Sequence, residues 1–165
     1  MEADYTDTYA TTVQSINHMT ASDLFYLMFV CYPKFILYLL RLRDGVVKPF
    51  GLPTGSNFTE LIQEQSKEKI VCSKSDKHLT FRIQLECDTP DTCIQCQSIR
   101  ITTSVKFHNT QGRIYFFFIH PFHCLICKIL LKRAARNWEK ETHSRIVQKN
   151  ARKTFKKQIT HINQP

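Results

Sequence analysis

The sequence predicts an α+β protein, a small antiparallel β domain of zinc-ribbon type flanked by helices. Three observations carry that expectation. Two CxxC pairs, Cys93-Ile-Gln-Cys96 and Cys124-Leu-Ile-Cys127, stand 27 residues apart. Short β-branched runs with a period of two lie before and between them. After Cys127 the apolar spacing changes to that of a helix, on a strongly basic background.

Residues 1–23 contain Glu2, Asp4, Asp7 and Asp23 and no Lys or Arg. Their low hydrophobicity predicts a disordered N-terminus. With no basic stretch before the apolar run that follows, a cleaved signal peptide is not expected. Residues 24–43 form an apolar helical segment, for which Ser22 or Asp23 can supply the cap. Its seventeen-residue apolar core, 24–40, is at the short end of a membrane span and holds Pro33 and Lys34 in its middle. It reads either as a membrane segment or as buried helices broken at the proline.

Residues 44–56 are a Pro/Gly-rich linker. The β domain is placed at 57–127. Asn57-Phe-Thr-Glu60 has the pattern of a capping box opening a helix to about Gln65. Lys69-Ile-Val-Cys72 and His78–Cys87 follow as strands. In the second, Leu79, Phe81, Ile83 and Leu85 alternate with Thr80, Arg82, Gln84 and Glu86. Ser98–Phe107, a turn at His108–Gly112, and Arg113–Ile119 complete an expected hairpin.

Residues 128–165 are the basic amphipathic helical arm. Leu131, Ala134, Ala135 and Trp138 share one face, and Val147, Ala151, Phe155, Ile159 and Ile162 form a second stripe. The arm holds eleven Lys/Arg against two acids, while residues 1–127 hold twelve of each sign. The whole net charge of +9 therefore sits in the arm. Such a distribution suits an anionic membrane surface, an acidic partner or nucleic acid.

The chemistry implied is binding, not turnover. A CxxC turn brings two thiolates to one ion, and two such turns close a tetrahedral Zn2+ shell without an open position. Cys93, Cys96, Cys124 and Cys127 are thus the expected ligands of a structural zinc ion. The bland alternatives are reduced core cysteines or two disulfides. Seven cysteines cannot all pair, which favours a cytosol-facing, intracellular setting. Cys72, Cys87 and the neighbouring His120 and His123 remain open as further ligands or supporting groups. No glycine-rich phosphate cradle occurs, so no small-molecule substrate is expected. The aromatic run Tyr115–Phe118 reads as a strand buried on both faces or as a base-stacking surface.

These residues resemble the 3CxxC zinc-finger domain of receptor-transporting proteins, shared in part by zygote-arrest proteins. The resemblance spans about residues 57–127. It rests on Phe58-Thr-Glu-Leu-Ile-Gln-Glu64, Cys93-x-x-Cys96, Ser104-x-Lys-Phe-His108, Gln111-Gly-Arg-Ile-Tyr-Phe116 and Phe122-x-Cys124-x-x-Cys127. This chain lacks the aromatic residue after the first pair, and it has two CxxC pairs only. The resemblance implies a non-enzymatic zinc-binding adaptor that helps membrane receptors, its protein clients, reach the cell surface; the family's usual membrane segment is C-terminal, whereas here the apolar segment 24–40 or the basic arm is expected to dock on membrane or client. The competing expectation is a nucleic-acid-binding zinc ribbon, whose arm residues, such as Lys132, Arg133, Arg136, Lys149, Arg152, Lys153, Lys156 and Lys157, neutralise phosphates.

Overall fold

The computed structural model describes residues 2–14, 17–31, 34, 36–38, 41, 45, 58–89 and 96–162, with side chains in the last helix to residue 141. The architecture is α+β. A five-stranded antiparallel sheet carries a short helix and one long C-terminal helix. The strands are β1 (Tyr5–Gln14), β2 (Ile62–Gln65), β3 (Lys69–Ser75), β4 (Leu79–Cys87) and β5 (Cys96–Phe107), in spatial order β1-β5-β4-β3-β2. The first helix, α1 (Ala21–Phe25), runs on as a π-helical turn over Tyr26–Val30, and a 3-10 turn covers Phe58–Leu61. The last helix, α2, spans Thr110–Ile162.

β1 overturns the expected disorder of residues 1–23. Its alternation is present but chemically disguised. Tyr5, Asp7, Tyr9 and Thr11 are half-buried, Val13 is buried, and Thr6, Thr8, Ala10, Thr12 and Gln14 are exposed. The buried face carries a carboxylate and two phenols, so hydrophobicity alone shows no strand. On the outer face Thr6 donates to the Ser104 hydroxyl at 3.3 Å, and Thr8 and Thr102 lie 3.0 Å apart. Such cross-strand hydroxyl pairs reinforce the ladder that joins β1 to β5.

The expected strand Arg113–Ile119 is instead the first part of α2. Asn109 decides this, because its Oδ1 accepts the Gly112 N–H at 2.9 Å and so caps the helix. The chain leaves β5 through His108, whose N–H donates to the His78 carbonyl at 2.8 Å. Gly112 must pass the same carbonyl, and a Cβ there would lie 2.2 Å from His78 O. The glycine that reads as a hairpin turn is needed for close approach at a helix start. Cys124 and Cys127 consequently sit on helix, not on the knuckle of a zinc ribbon. Residues 58–65, expected as helix, form the 3-10 turn and β2. Asn57, Cys93 and, apart from residue 45, the 44–56 linker lie outside the described residues.

The apolar stretch 24–40 supplies core. Leu24, Phe25, Met28 and Ile36 are buried against Ile70, Ile83, Leu85, Ile99 and Ile101 of the sheet and Leu130, Leu131, Ala134 and Ala135 of α2. Thr20 and Asp23 form a reciprocal capping box at the start of α1. The buried Gln97 amide is fully used, accepting from Met19 N–H and donating to the carbonyls of Met19 and Asp88. Cys72 and Cys87 are packed in this core as thiols. Burial pushes Cys72 up to about 11, and burial with the Asp23 and Asp88 charges pushes Cys87 up to about 12.

Two outcomes follow from this packing. Gly112→Ala should lose about 1–3 kcal/mol by overpacking against rigid backbone, read as a lower midpoint in thermal or urea unfolding. Gly45→Ala, with nothing within 4 Å of its Cβ, serves as the neutral control. The core thiols bind their protons more tightly folded than unfolded. Their contribution is complete below the ordinary thiol range near 8.5 and declines as pH rises towards the raised folded values. Melting temperatures measured from pH 8 to 11 should therefore fall, and fall less in Cys72→Val/Cys87→Val.

Candidate metal centre

The inward face of β1 meets α2 at a polar cluster. Strand periodicity sets Tyr5, Asp7 and Tyr9 on one side, and helical spacing sets His120, His123, Cys124 and Cys127 on another. Their meeting depends on β1 lying at the sheet edge beneath the helix, with Asp7 opposite Thr103 of β5.

Asp7, His120 and Cys124 offer ligand atoms that all lie within 4.8 Å of one another. Cys124 Sγ is 3.2 Å from His120 Nε2 and 3.9 Å from Asp7 Oδ2. A tetrahedral zinc ion with ordinary Zn–S and Zn–N/O bonds separates such atoms by about 3.4–3.6 Å. The observed distances bracket that value. His123 Nε2 stands 3.6 Å from the same Asp7 oxygen, and the Asp7 and His123 side chains are 12 % and 18 % exposed. The other side of the His123 ring packs on Cys127, with Sγ 3.6 Å from Nε2.

Two phenols complete the surroundings. Tyr5 donates to Asp7 Oδ2 at 3.1 Å, and its oxygen lies 2.7 Å from His120 Nε2. Its one hydroxyl hydrogen cannot serve both contacts. It serves one of them at a time, and whether His120 Nε2 donates or accepts follows from its tautomer. Tyr5, Phe107, Phe116 and His120 stack as a continuous aromatic group, with Tyr5 and Phe116 centroids 4.7 Å apart. Burial and the Asp7 charge push the Tyr5 hydroxyl far up, and burial with hydrogen bonding to Cys124 and Asp7 does the same for Tyr9. Both phenols remain protonated donors.

Burial pushes the Asp7 carboxyl up, but hydrogen bonding and charge from His123, with the Tyr9 and Tyr5 hydroxyls, outweigh it and hold Asp7 below the ordinary carboxylate range. The site thus favours the anion, the form that ligates. Burial, reinforced by Asp7 and Cys124, pushes the Cys127 thiol far up. Asp7 Oδ1 is buried with no hydrogen-bond partner among the described residues, and so is Thr103 Oγ1 on the adjacent strand. The two unpartnered oxygens belong to residues directly opposite each other across β1 and β5.

Of the three expected ligands among the described residues, Cys124 joins this cluster, with Cys127 next to it, and Cys93 lies outside the described residues. Cys96 pairs with Gln14, seven residues along β1 from Asp7, or about 23 Å. That end of β1 faces the far part of α2, where Gln14 N–H donates to Glu139 at 2.9 Å. Cys96 and Cys124 therefore do not share an ion. Cys72 is separated from Asp7 in its cross-strand row by Ile83 and Thr103, three strand spacings or about 14 Å. Asp7 is the residue that the sequence reading misses. His120-x-x-x-Cys124, an i,i+4 pair on one helix face, is the signal that points to its partners.

No curated protein matches this sequence. Among solved structures it is similar to a conserved protein from Geobacillus kaustophilus, at 9 % identity over 82 % of this chain and 96 % of that one, with a TM-score of 0.41. It is also similar to a putative uncharacterized protein from Bacillus thuringiensis, at 5 % identity over 81 % and 98 % of the two chains, with a TM-score of 0.32. A family model matches residues 1–129, from before β1 to beyond Cys127, and it is not a zinc-finger model. This overturns the resemblance to the 3CxxC domain of receptor-transporting proteins, and its Gln111–Phe116 and Phe122–Cys127 positions fall here on α2 instead of a return strand and a closing knuckle. By that match the chain belongs to the DUF2867 family, described as proteins of unknown function.

Proposed function

We propose that this protein is a non-enzymatic zinc-binding protein, in which one Zn2+ held by Asp7, His120 and Cys124 joins the N-terminal strand to the C-terminal helix. The observation that carries the reading is the convergence of a carboxylate, an imidazole and a thiol from residues 7, 120 and 124 within 4.8 Å. A mixed O, N and S donor set suits a borderline-soft ion that tolerates tetrahedral geometry. The orphaned Asp7 oxygen and the depressed Asp7 pKa support it. His123 lies outside this group of three but 3.6 Å from the same Asp7 oxygen, and its entry as fourth ligand would close the shell and make the ion's role structural. The ion then acts as a clamp between elements over a hundred residues apart, and the clamped body serves as a platform for partners.

A second reading rests on the 3.2 Å contact between Cys124 Sγ and His120 Nε2. That geometry suits a thiol activated by an imidazole, with Cys124 as nucleophile. The two readings separate on metal content and on thiol reactivity.

Elemental analysis of protein purified without added chelator should give close to one zinc per chain. Asp7→Asn, His120→Ala and Cys124→Ser should each weaken zinc binding by at least the roughly 10–100-fold that loss of an outer supporting group costs. Zinc should raise the melting temperature of the wild type and leave Cys124→Ser unmoved. A folded wild type that takes up no zinc, and whose Cys124 is alkylated by iodoacetamide as fast with zinc as without it, sinks the zinc reading in favour of the thiol.

A further inference from the structure

The face of α2 turned away from the sheet has a composition that neither the core nor the metal cluster uses. At 100° per residue, Ile114, Phe117, Phe118, Pro121 and Leu125 fall in one stripe, and Lys132 and Arg136 continue it. Phe117 is 74 % exposed, and Ile114, Phe118 and Leu125 are 45–47 % exposed. Three turns of large apolar side chains thus face solvent, rimmed by charge. Lys128 falls within the stripe by angle but reaches back to lie 5.3 Å over the Tyr9 ring, and Lys132 and Arg136 are exposed. Every Lys and Arg of the net-positive arm lies from residue 128 onward, and helix continues to Ile162.

We propose that this outer stripe of α2 seats the protein on an anionic lipid surface, with Ile114–Leu125 inserted at the headgroup boundary and the basic turns beyond it held against phosphate-bearing headgroups. The proposal stands apart from the zinc reading and does not rest on it. Apolar residues followed along the same helix face by lysine and arginine match the two layers of such a surface, the acyl boundary and the anionic headgroups. The basic turns alone would suit any polyanion. The exposed aliphatic Ile114 and Leu125 beside the phenylalanines single out lipid, because aliphatic side chains do not stack on bases as aromatic rings do.

The same helix is long and apolar enough over Thr110–Glu141 to cross a bilayer by length and composition. Its opposite face decides against crossing. Cys127, Leu130, Leu131, Ala134 and Ala135 are buried in the protein core, and His120 and Cys124 are engaged with β1. Leaving those contacts would dismantle the fold, whereas lying on the surface uses only the exposed face.

Sedimentation of the full chain with vesicles of phosphatidylcholine alone, or with about a third phosphatidylserine, tests this directly. The wild type should bind the serine-containing vesicles and not the neutral ones, and binding should weaken as salt rises. Lys132→Gln/Arg136→Gln should lower the partition coefficient roughly 30-fold, from about 1 kcal/mol per cationic side chain at such a surface. Phe117→Ser/Leu125→Ser should lower it at least about tenfold with unchanged circular dichroism. Phe117→Trp keeps the apolar area, so it should bind like the wild type with emission shifted to the blue. Vesicle binding that is unaffected by Phe117→Ser/Leu125→Ser, or an unshifted Trp emission on bound vesicles, overturns the proposal. So does failure to bind either vesicle. Binding of an RNA oligonucleotide with the same charge dependence, alongside no dependence on the apolar residues, assigns the stripe to nucleic acid instead.

Discussion

Ten consecutive antiparallel pairs, from Tyr5↔Val105 to Gln14↔Cys96, hold the N-terminal strand against the last strand of the sheet. That pairing is the constraint on which the rest depends. It closes a loop of about ninety residues, so it is costly in chain entropy and must be repaid by what packs on it. The repayment comes from α2, which lies on the inner face of β1 and uses Phe116, His120 and Cys124 to meet Tyr5 and Asp7. At the far end, Gln14 is fixed by Glu139, and Trp138 donates to the Asn17 carbonyl at 3.1 Å. The edge strand is thus held at both ends by one helix. Where the helix covers only its inner side, the outer side is blunted with threonines, which suit an exposed ladder.

Burial of polar groups beneath this helix is the main energetic tension in the structure. Asp7 gives up water for Tyr5, Tyr9 and His123, and one of its oxygens is left without a partner among the described residues. A buried acceptor left unmade costs about 1–3 kcal/mol. An apolar residue at position 7 would avoid that cost and pack as well between two tyrosines. A carboxylate there makes physical sense when something cationic meets it. A metal ion bridging Asp7, His120 and Cys124 would supply this.

The central strands were legible because they obey simple rules. Leu79, Phe81, Ile83 and Leu85 alternate with polar residues, and Ile99, Ile101 and Val105 fall at the same period in β5. The two ends of the chain were not, for opposite reasons. Tyr5-Thr-Asp-Thr-Tyr9 alternates polar with polar, and an acidic, lysine-free context resembles disorder. Arg113-Ile-Tyr-Phe-Phe-Phe-Ile119 has high β propensity but folds as helix, because the Asn109 cap and tertiary packing override local preference. This second reversal also moved the site. Cys124 and Cys127 read as the two ends of a knuckle three residues apart. On a helix they lie about 60° apart, with Cys127 turned into the core and Cys124 on the face of His120, four residues earlier. Half of the cluster was therefore in view as His120, His123, Cys124 and Cys127. Its anchor, Asp7, could emerge only from the pairing of the first strand with the fifth.

The inner and outer faces of α2 are linked by rotation about the helix axis. A shift of one residue in how the helix sits on the sheet turns it by about 100°. Leu130, Leu131, Ala134 and Ala135 already resist such a turn in the second half of the packed segment. In the first half the inward side chains are mostly aromatic and polar, and Pro121 removes a backbone hydrogen bond from the ladder. The contacts of His120 and Cys124 with Tyr5 and Asp7 are what set the rotation there. Fixing those side chains inward places Phe117, Phe118 and Leu125 outward, since helical geometry permits no other arrangement. The polar cluster and the exposed apolar stripe are thus two consequences of one rotational setting, and any ligand that tightens the cluster also holds the stripe in place.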